Sequence, residues 1–204
     1  NNELEAALRA GGKEEQAEMV RNILPPGVEC IFVRQPEQLG LGHAVLCAER
    51  AVGNETFAVL LADDFLTDYL PGVTADLISA YELNGKSQLS VMKVEGPDIS
   101  KYGVIVPDAD GTGIIGLSEK PNIADAPSNL ASIGRYVLTP DIFQILRGVP
   151  KDTGGEIQLA DAINIQASRG AVDTVKLNGK RFDCGSVNGF IEATNFEFRK
   201  MAVT

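Results

Sequence analysis

Strand-like and helix-like runs alternate along this 204-residue chain, and that alternation narrows the possible folds more than any other feature. The β-rich run VECIFVR, Val28–Arg34, leads through a glycine-bearing turn into GHAVLCAERAV, Gly42–Val52. There Ala44, Leu46, Cys47, Ala48 and Ala51 fall at helical spacing. TFAVLLAD, Thr56–Asp63, is a continuous apolar run, which predicts a strand buried on both faces. VTADLISAYELNG predicts a helix with Thr74 as N-cap and Gly85 just past its end. SQLSVMKVE, Ser87–Glu95, predicts another strand.

Further on, YGVIVPDADGTGIIGLSEKP places two short apolar runs around a turn-rich centre and predicts a hairpin. NLASIGRYVLT follows as a strand. PDIFQILRGV and EIQLADAINIQASRG predict helices, with Pro140 near the start of one and Gly170 closing the other. AVDTVKLNG and KRFDCG are short strands, and Val187–Met201 is a last helix. No repeat or long linker interrupts the series, so residues 1–204 read as a single domain. The pattern predicts an open, largely parallel sheet with helices on both faces. Ligands bind such sheets beyond the carboxyl ends of the strands. The residues there are Gln35, Asp63, Gly103, Glu119 with Lys120, and Asp183.

Charge limits the partners. The chain holds 18 Lys and Arg against 28 Asp and Glu, a net charge of −10, which disfavours nucleic acid and anionic membrane surfaces. A phosphate site must therefore be built locally, from a few cations, backbone N–H groups or a metal ion. The three cysteines, Cys30, Cys47 and Cys184, are far apart and lack metal-site spacing, which fits a reducing cytoplasm. No apolar run approaches the roughly 20 residues of a membrane helix. The polar, acidic opening NNELEAALRAGGKEEQAEMV is unlike a signal peptide and reads as the middle of a chain.

Asp63 and Asp64 close a buried strand, a place where carboxylates suit Mg²⁺, although acids are equally at home in solvated turns. Asp183 precedes the last helix; it could supply a second ligand or simply favour the helix end. Glu119 and Lys120 are adjacent, so regular alternation sends them to opposite faces. They meet one ligand only if the strand bends before Pro121; otherwise they are an edge-strand ion pair. Gly40 and Gly42 permit close backbone approach, and Gln35 offers both a donor and an acceptor suited to a base edge. No Lys follows these glycines, which rejects a P-loop, and a purely structural turn remains the alternative. His43, the only histidine, reads as a capping or packing residue, and Cys184 as a buried thiol.

Taken in order, VRQPEQLGLGHAVLCAERAV, VLLADDFLTDY, YGVIV, SEKPNIADAPSNLASIGRYVL, GGEIQLADAI and GKRFDCGSVNGFIEA resemble the bacterial UTP–glucose-1-phosphate uridylyltransferase family. The resemblance covers nearly the whole chain. It implies a Rossmann-like open mixed sheet of the sugar nucleotidyltransferase type. It also implies transfer of a uridylyl group from UTP to glucose-1-phosphate, giving UDP-glucose and pyrophosphate, with Mg²⁺ as cofactor, in a cytoplasmic homo-oligomer (dimer or tetramer). By the same resemblance Gln35 and Gly40 match uracil-contacting positions, Asp63 the metal aspartate, and Gly103 and Glu119 sugar-contacting positions. Lys120 matches the lysine near the sugar phosphate and Asp183 the second metal-proximal acid, while Asp64 sits at a variable position. The family's G-x-G-T-R-x-x-P-x-T-K loop has no match here. The chain thus reads as the C-terminal portion of a longer enzyme, N-terminally truncated and inactive alone. A thymidylyl- or other sugar-1-phosphate nucleotidyltransferase of the same fold, a metal-dependent glycosyltransferase and a non-catalytic sugar-nucleotide-binding or oligomerisation fragment are the alternatives.

Overall fold

The structure, a computed structural model, describes residues 2–110 and 113–202. The chain divides into two compact units, residues 1–34 and 35–204. In the first, helices α1 (Asn2–Ala10) and α2 (Glu14–Arg21) are joined by a turn in which Gly12 has φ 70°. Arg9 of α1 pairs with Glu5 on its own helix and with Glu14 and Glu18 of α2. The predicted strand Val28–Arg34 does not form. Its side chains are exposed, Phe32 at 92%. A strand exists through its ladder partner, and among the described residues none pairs with this run.

The second unit opens with α3 (Gly40–Cys47) and α4 (Glu49–Val52), so the predicted helix Gly42–Val52 is broken at Ala48. Strands β1 (Phe57–Leu60) and β2 (Asp64–Thr67) follow, then α5 (Val73–Asn84) and β3 (Ser87–Lys93). Gly85 ends α5 in the left-handed conformation as predicted, but Gly72, not Thr74, precedes its first turn. The predicted hairpin is β4 (Gly103–Pro107) with β5 (Ile114–Glu119); Gly111 and Thr112 of its turn lie outside the described residues. The chain continues through β6 (Leu130–Leu138), α6 (Asp141–Gly148), α7 (Leu159–Ala167), β7 (Val172–Lys176), β8 (Lys180–Asp183) and α8 (Val187–Met201).

The main sheet has strand order β5-β4-β6-β3-β7, with β1 also on β6. Among the described residues only β3 and β7 pair in parallel; every other ladder is antiparallel, which corrects the largely parallel expectation. Periodicity identifies an element but not its direction, which the connections decide. β3 takes one flank of β6, so β4 at Ala131 and β1 at Arg135–Leu138 share the other flank, end to end. β1 is therefore only partly buried, with Leu60 56% exposed, and not a strand covered on both faces.

β3 is the strand buried on both faces. Its Leu89 and Val91 join Phe143, Leu146, Leu159 and Ile163 in the main core. On its opposite face Gln88 bonds Asn84 of α5 at 2.8 Å. Helices thus cover both faces of the sheet. The segment before α7 stays extended because its backbone serves the opening turn: Ile157 N donates to Leu39 O (2.8 Å) and Gly42 N donates to Ile157 O (2.9 Å). α7 accordingly starts at Leu159 and not at Glu156.

Gly42 tests this docking. A Cβ there would lie 2.7 Å from Ile157 O and 2.9 Å from Leu146 Cδ2. Gly42→Ala should cost about 1–3 kcal/mol by overpacking. Gly148→Ala, with nothing within 4 Å of its added Cβ, should stay within about 0.5 kcal/mol of the parent. Urea midpoints for the two variants check the contrast.

Candidate functional site

Between β1 and β4, residues Ser132–Gly134 of β6 lie beside a cleft. Asp63, Asp64, Tyr102, Gly103, Glu119, Lys120, Tyr136, Gln158, Arg181 and Asp183 line it. Five of the seven candidate residues therefore meet in one place. Gln35 and Gly40 do not line the cleft; they stand on the opening turn, whose Leu41 does.

The hairpin delivers the sugar-side candidates. Gly103 pairs with Glu119 across β4–β5, and a Cβ on Gly103 would lie 3.2 Å from Glu119 Oε2. The glycine leaves that carboxylate room beside the strand. Lys120 has φ 43°, in the left-handed region, and its N–H donates to Tyr102 O at 3.0 Å. This bend lets Glu119 and Lys120 face the same cleft, with Lys120 Nζ 3.8 Å from Glu119 Oε1. The lysine remains mostly exposed, so that weak pair leaves its charge available to a ligand.

The acids come from a separate two-stranded ribbon, β2–β8, in which Asp64 lies opposite Asp183. Cys184 N donates to Asp63 O at 2.7 Å, which holds Asp63 at the same ribbon end. Asp183 Oδ1 accepts from Gly185 N at 3.1 Å. A Cβ on Gly185 would lie 3.2 Å from Asp183 Oδ1 and 3.3 Å from Asp63 Oδ2, so the two carboxylates converge on one point. Among the described residues no three His, Cys, Asp or Glu side chains form a cage for an ion. Two carboxylates with remaining positions left to water and phosphate are what Mg²⁺ takes, so the pair fits that ion.

The tandem acids divide their work. Asp64 is 6% exposed; its Oδ2 accepts from Gly134 N at 2.6 Å and its Oδ1 pairs with Arg181. Arg181 also donates to Tyr102 Oη at 2.9 Å. Burial works against the Arg181 charge, but Asp64 and its neighbours outweigh it and hold the guanidinium above its ordinary pKa. Asp63, by contrast, is exposed. Burial, reinforced by the Asp64, Glu119 and Asp63 charges, pushes the Tyr136 phenol up to about 12, so it stays a protonated donor near neutrality. Arg181, Tyr102, Tyr136 and Gln158 escape sequence reading, and Asp64, read there beside Asp63 as an acid suited to Mg²⁺, is instead a buried carboxylate paired with Arg181. Their roles depend on long-range pairings that no local motif carries. Cys184, read as a buried thiol, is half-exposed.

Asp64→Ala should destabilise the protein by about 3–5 kcal/mol, because Arg181 would lose its buried counter-charge. Asp63→Ala should change stability by less than about 0.5 kcal/mol. Chemical denaturation of both variants at pH 7 measures the difference.

The profile of the nucleotidyl transferase family matches residues 3–200. A Pseudomonas aeruginosa UTP–glucose-1-phosphate uridylyltransferase is 44% identical over 95% of this chain and 71% of its own length. The Haemophilus influenzae protein of that name is 40% identical over 94% of this chain and 68% of its own. A UDP-glucose pyrophosphorylase solved with UDP-glucose superposes with TM-score 0.82 at 44% identity, covering 93% of this chain and 73% of that one. A UTP-bound pyrophosphorylase from Acinetobacter baumannii superposes with TM-score 0.84 at 35% identity, covering 100% and 75%. Sequence, sheet and cleft agree: the chain belongs to the nucleotidyl transferase family, among the UTP–glucose-1-phosphate uridylyltransferases.

Proposed function

We propose that the protein transfers a uridylyl group from UTP to glucose-1-phosphate, forming UDP-glucose and releasing pyrophosphate. The observation that carries this reading is the likeness to uridylyltransferases over almost the whole chain, joined to a cleft in which acids and a lysine converge. A phosphate oxygen of glucose-1-phosphate attacks the α-phosphorus of UTP. The new O–P bond forms as the bond to the β-phosphate oxygen breaks, and pyrophosphate departs. That attacking oxygen is already anionic near neutral pH, so no strong general base is needed. Catalysis is then positioning and charge neutralisation.

Asp63 and Asp183 would hold Mg²⁺, which when bound supplies positive charge to phosphate oxygens. Lys120 meets the phosphate of the sugar, its exposed ammonium being free to turn from Glu119. Glu119 accepts hydrogen bonds from sugar hydroxyls, and Gly103 opens the space for them. Gln35 and Gly40 contact the uracil, which explains a glycine-bearing turn without a lysine: it reads a base edge and leaves phosphates to other groups. Residues 1–204 act in this reading as one nucleotidyltransferase domain. The cytoplasm is its proposed compartment, in keeping with three unpaired thiols. Among the described residues no helix is long and apolar enough to cross a membrane.

In the full-length enzyme, Asp63→Asn should lower kcat on the order of 100-fold at saturating Mg²⁺. Steady-state pyrophosphate release checks this, and an undiminished kcat removes Asp63 from the metal site. Lys120→Ala should raise KM for all sugar-1-phosphates alike. Glu119→Ala should instead narrow the kcat/KM ratio between glucose-1-phosphate and its galactose epimer, about tenfold, since it removes an acceptor for a sugar hydroxyl. If both variants keep parental kinetics, the pair is structural.

A further inference from the structure

The side-chain amide of Gln35 is held from two sides. Its Nε2 lies 3.1 Å from Gly40 O and 3.0 Å from His43 Nδ1. A backbone carbonyl only accepts, so the nitrogen of the amide, not its oxygen, must face the turn. One amide hydrogen goes to Gly40 O and the other to His43 Nδ1. That ring nitrogen is therefore unprotonated, and the neutral imidazole carries its hydrogen on Nε2. The Nε2–H faces Cys47 Sγ, one helical turn along α3, at 3.8 Å. With both hydrogens taken, the Gln35 side chain has only Oε1 left to offer, and Oε1 is an acceptor.

We infer that His43 is a positioning residue for base selection, holding the Gln35 amide so that an incoming base meets a carbonyl acceptor and not an NH₂ donor. The inference rests on the proposed reading of Gln35 as a base contact. Uracil and thymine carry a hydrogen on N3, which a fixed acceptor satisfies. Cytosine carries a lone pair on N3, and a fixed acceptor leaves both groups without a hydrogen. Without His43 only the Gly40 carbonyl opposes the half-turn that lets the amide donate to cytosine, so that half-turn gives up one hydrogen bond where the intact turn gives up two. The lock therefore discriminates against cytosine, and is indifferent between uracil and thymine. The sequence reading of His43 as a packing residue misses this because the contact depends on the turn bringing residue 35 back onto α3.

The test is competition between UTP, CTP and dTTP for glucose-1-phosphate in the full-length enzyme, read as ratios of kcat/KM. Each ratio is taken within one preparation, so it is independent of the folded fraction. His43→Leu should lower the UTP:CTP ratio on the order of tenfold and leave the UTP:dTTP ratio unchanged. His43→Gln, whose side-chain carbonyl can accept from Gln35, should keep most of the parental ratio. Adding His43→Leu to Gln35→Ala should produce no further loss. If Gln35→Ala lowers the UTP:CTP ratio while His43→Leu does not, the positioning role is overturned and the base contact stands. A fall shared equally by His43→Leu and His43→Gln makes His43 a packing residue and also overturns it. An unchanged ratio in Gln35→Ala removes the base contact itself, and the inference with it.

Discussion

The buried carboxylate of Asp64 joins two pieces of structure that would otherwise be independent. A two-stranded ribbon is marginal by itself, yet the acids proposed for the metal sit at its end: Asp63 immediately precedes β2 and Asp183 closes β8. Asp64 ties that ribbon to β6 through Gly134 N, and Arg181 supplies the counter-charge its burial demands. Arg135 adds a second tie, donating to Leu61 O and Asp64 O at 2.9 Å each. The position opposite must be glycine, because a Cβ on residue 134 would lie 2.5 Å from Asp64 Oδ2 and 2.6 Å from Leu61 Cβ. The convergence of Asp63 and Asp183 follows from where this clamp sets the ribbon end.

The rest of the site is arranged around a gap in the sheet. β1 and β4 cover the two ends of one flank of β6 and leave its middle open, which is where the cleft lies. The hairpin β4–β5 brings Gly103, Glu119 and Lys120 to one margin and the ribbon brings the acids to another. The segment Glu156–Leu159 links the cleft to the opening turn: Ile157 holds the turn by its backbone, while Gln158 and Leu159 line the cleft. The opening turn is therefore tied to the cleft through this extended stretch of backbone as well as through its own Leu41.

An acidic protein that handles polyphosphates faces repulsion from its own surface. Here the cleft's cations are few and unequal. Arg181 is committed to Asp64 and Tyr102, whereas Lys120 is left exposed by the left-handed bend in its backbone. The separation resolves the tandem Asp63–Asp64 in the same way: one acid is neutralised to hold the fold, and its neighbour is left at the cleft. Adjacent residues with identical chemistry thus serve different ends because consecutive side chains meet different surroundings.

Much of this was legible in the sequence. Apolar periodicity located most strands and helices, Gly85 and Gly170 marked helix ends, and the ordered motifs identified the family and named Asp63, Gly103, Glu119, Lys120 and Asp183, which do share one cleft. These signals are local: they depend on side-chain spacing and on backbone freedom at single residues. Tertiary structure alone decided that Val28–Arg34 lacks a ladder, that β1 is half-covered, that the sheet is mostly antiparallel, and that Asp64 is bound by Arg181 while Asp63 is not. It also decided which nitrogen of His43 faces Gln35. Strand direction, burial and hydrogen-bond pairing are set by groups far apart in the chain, such as Asp64 and Arg181, and their energies exist only once folding has brought those groups together.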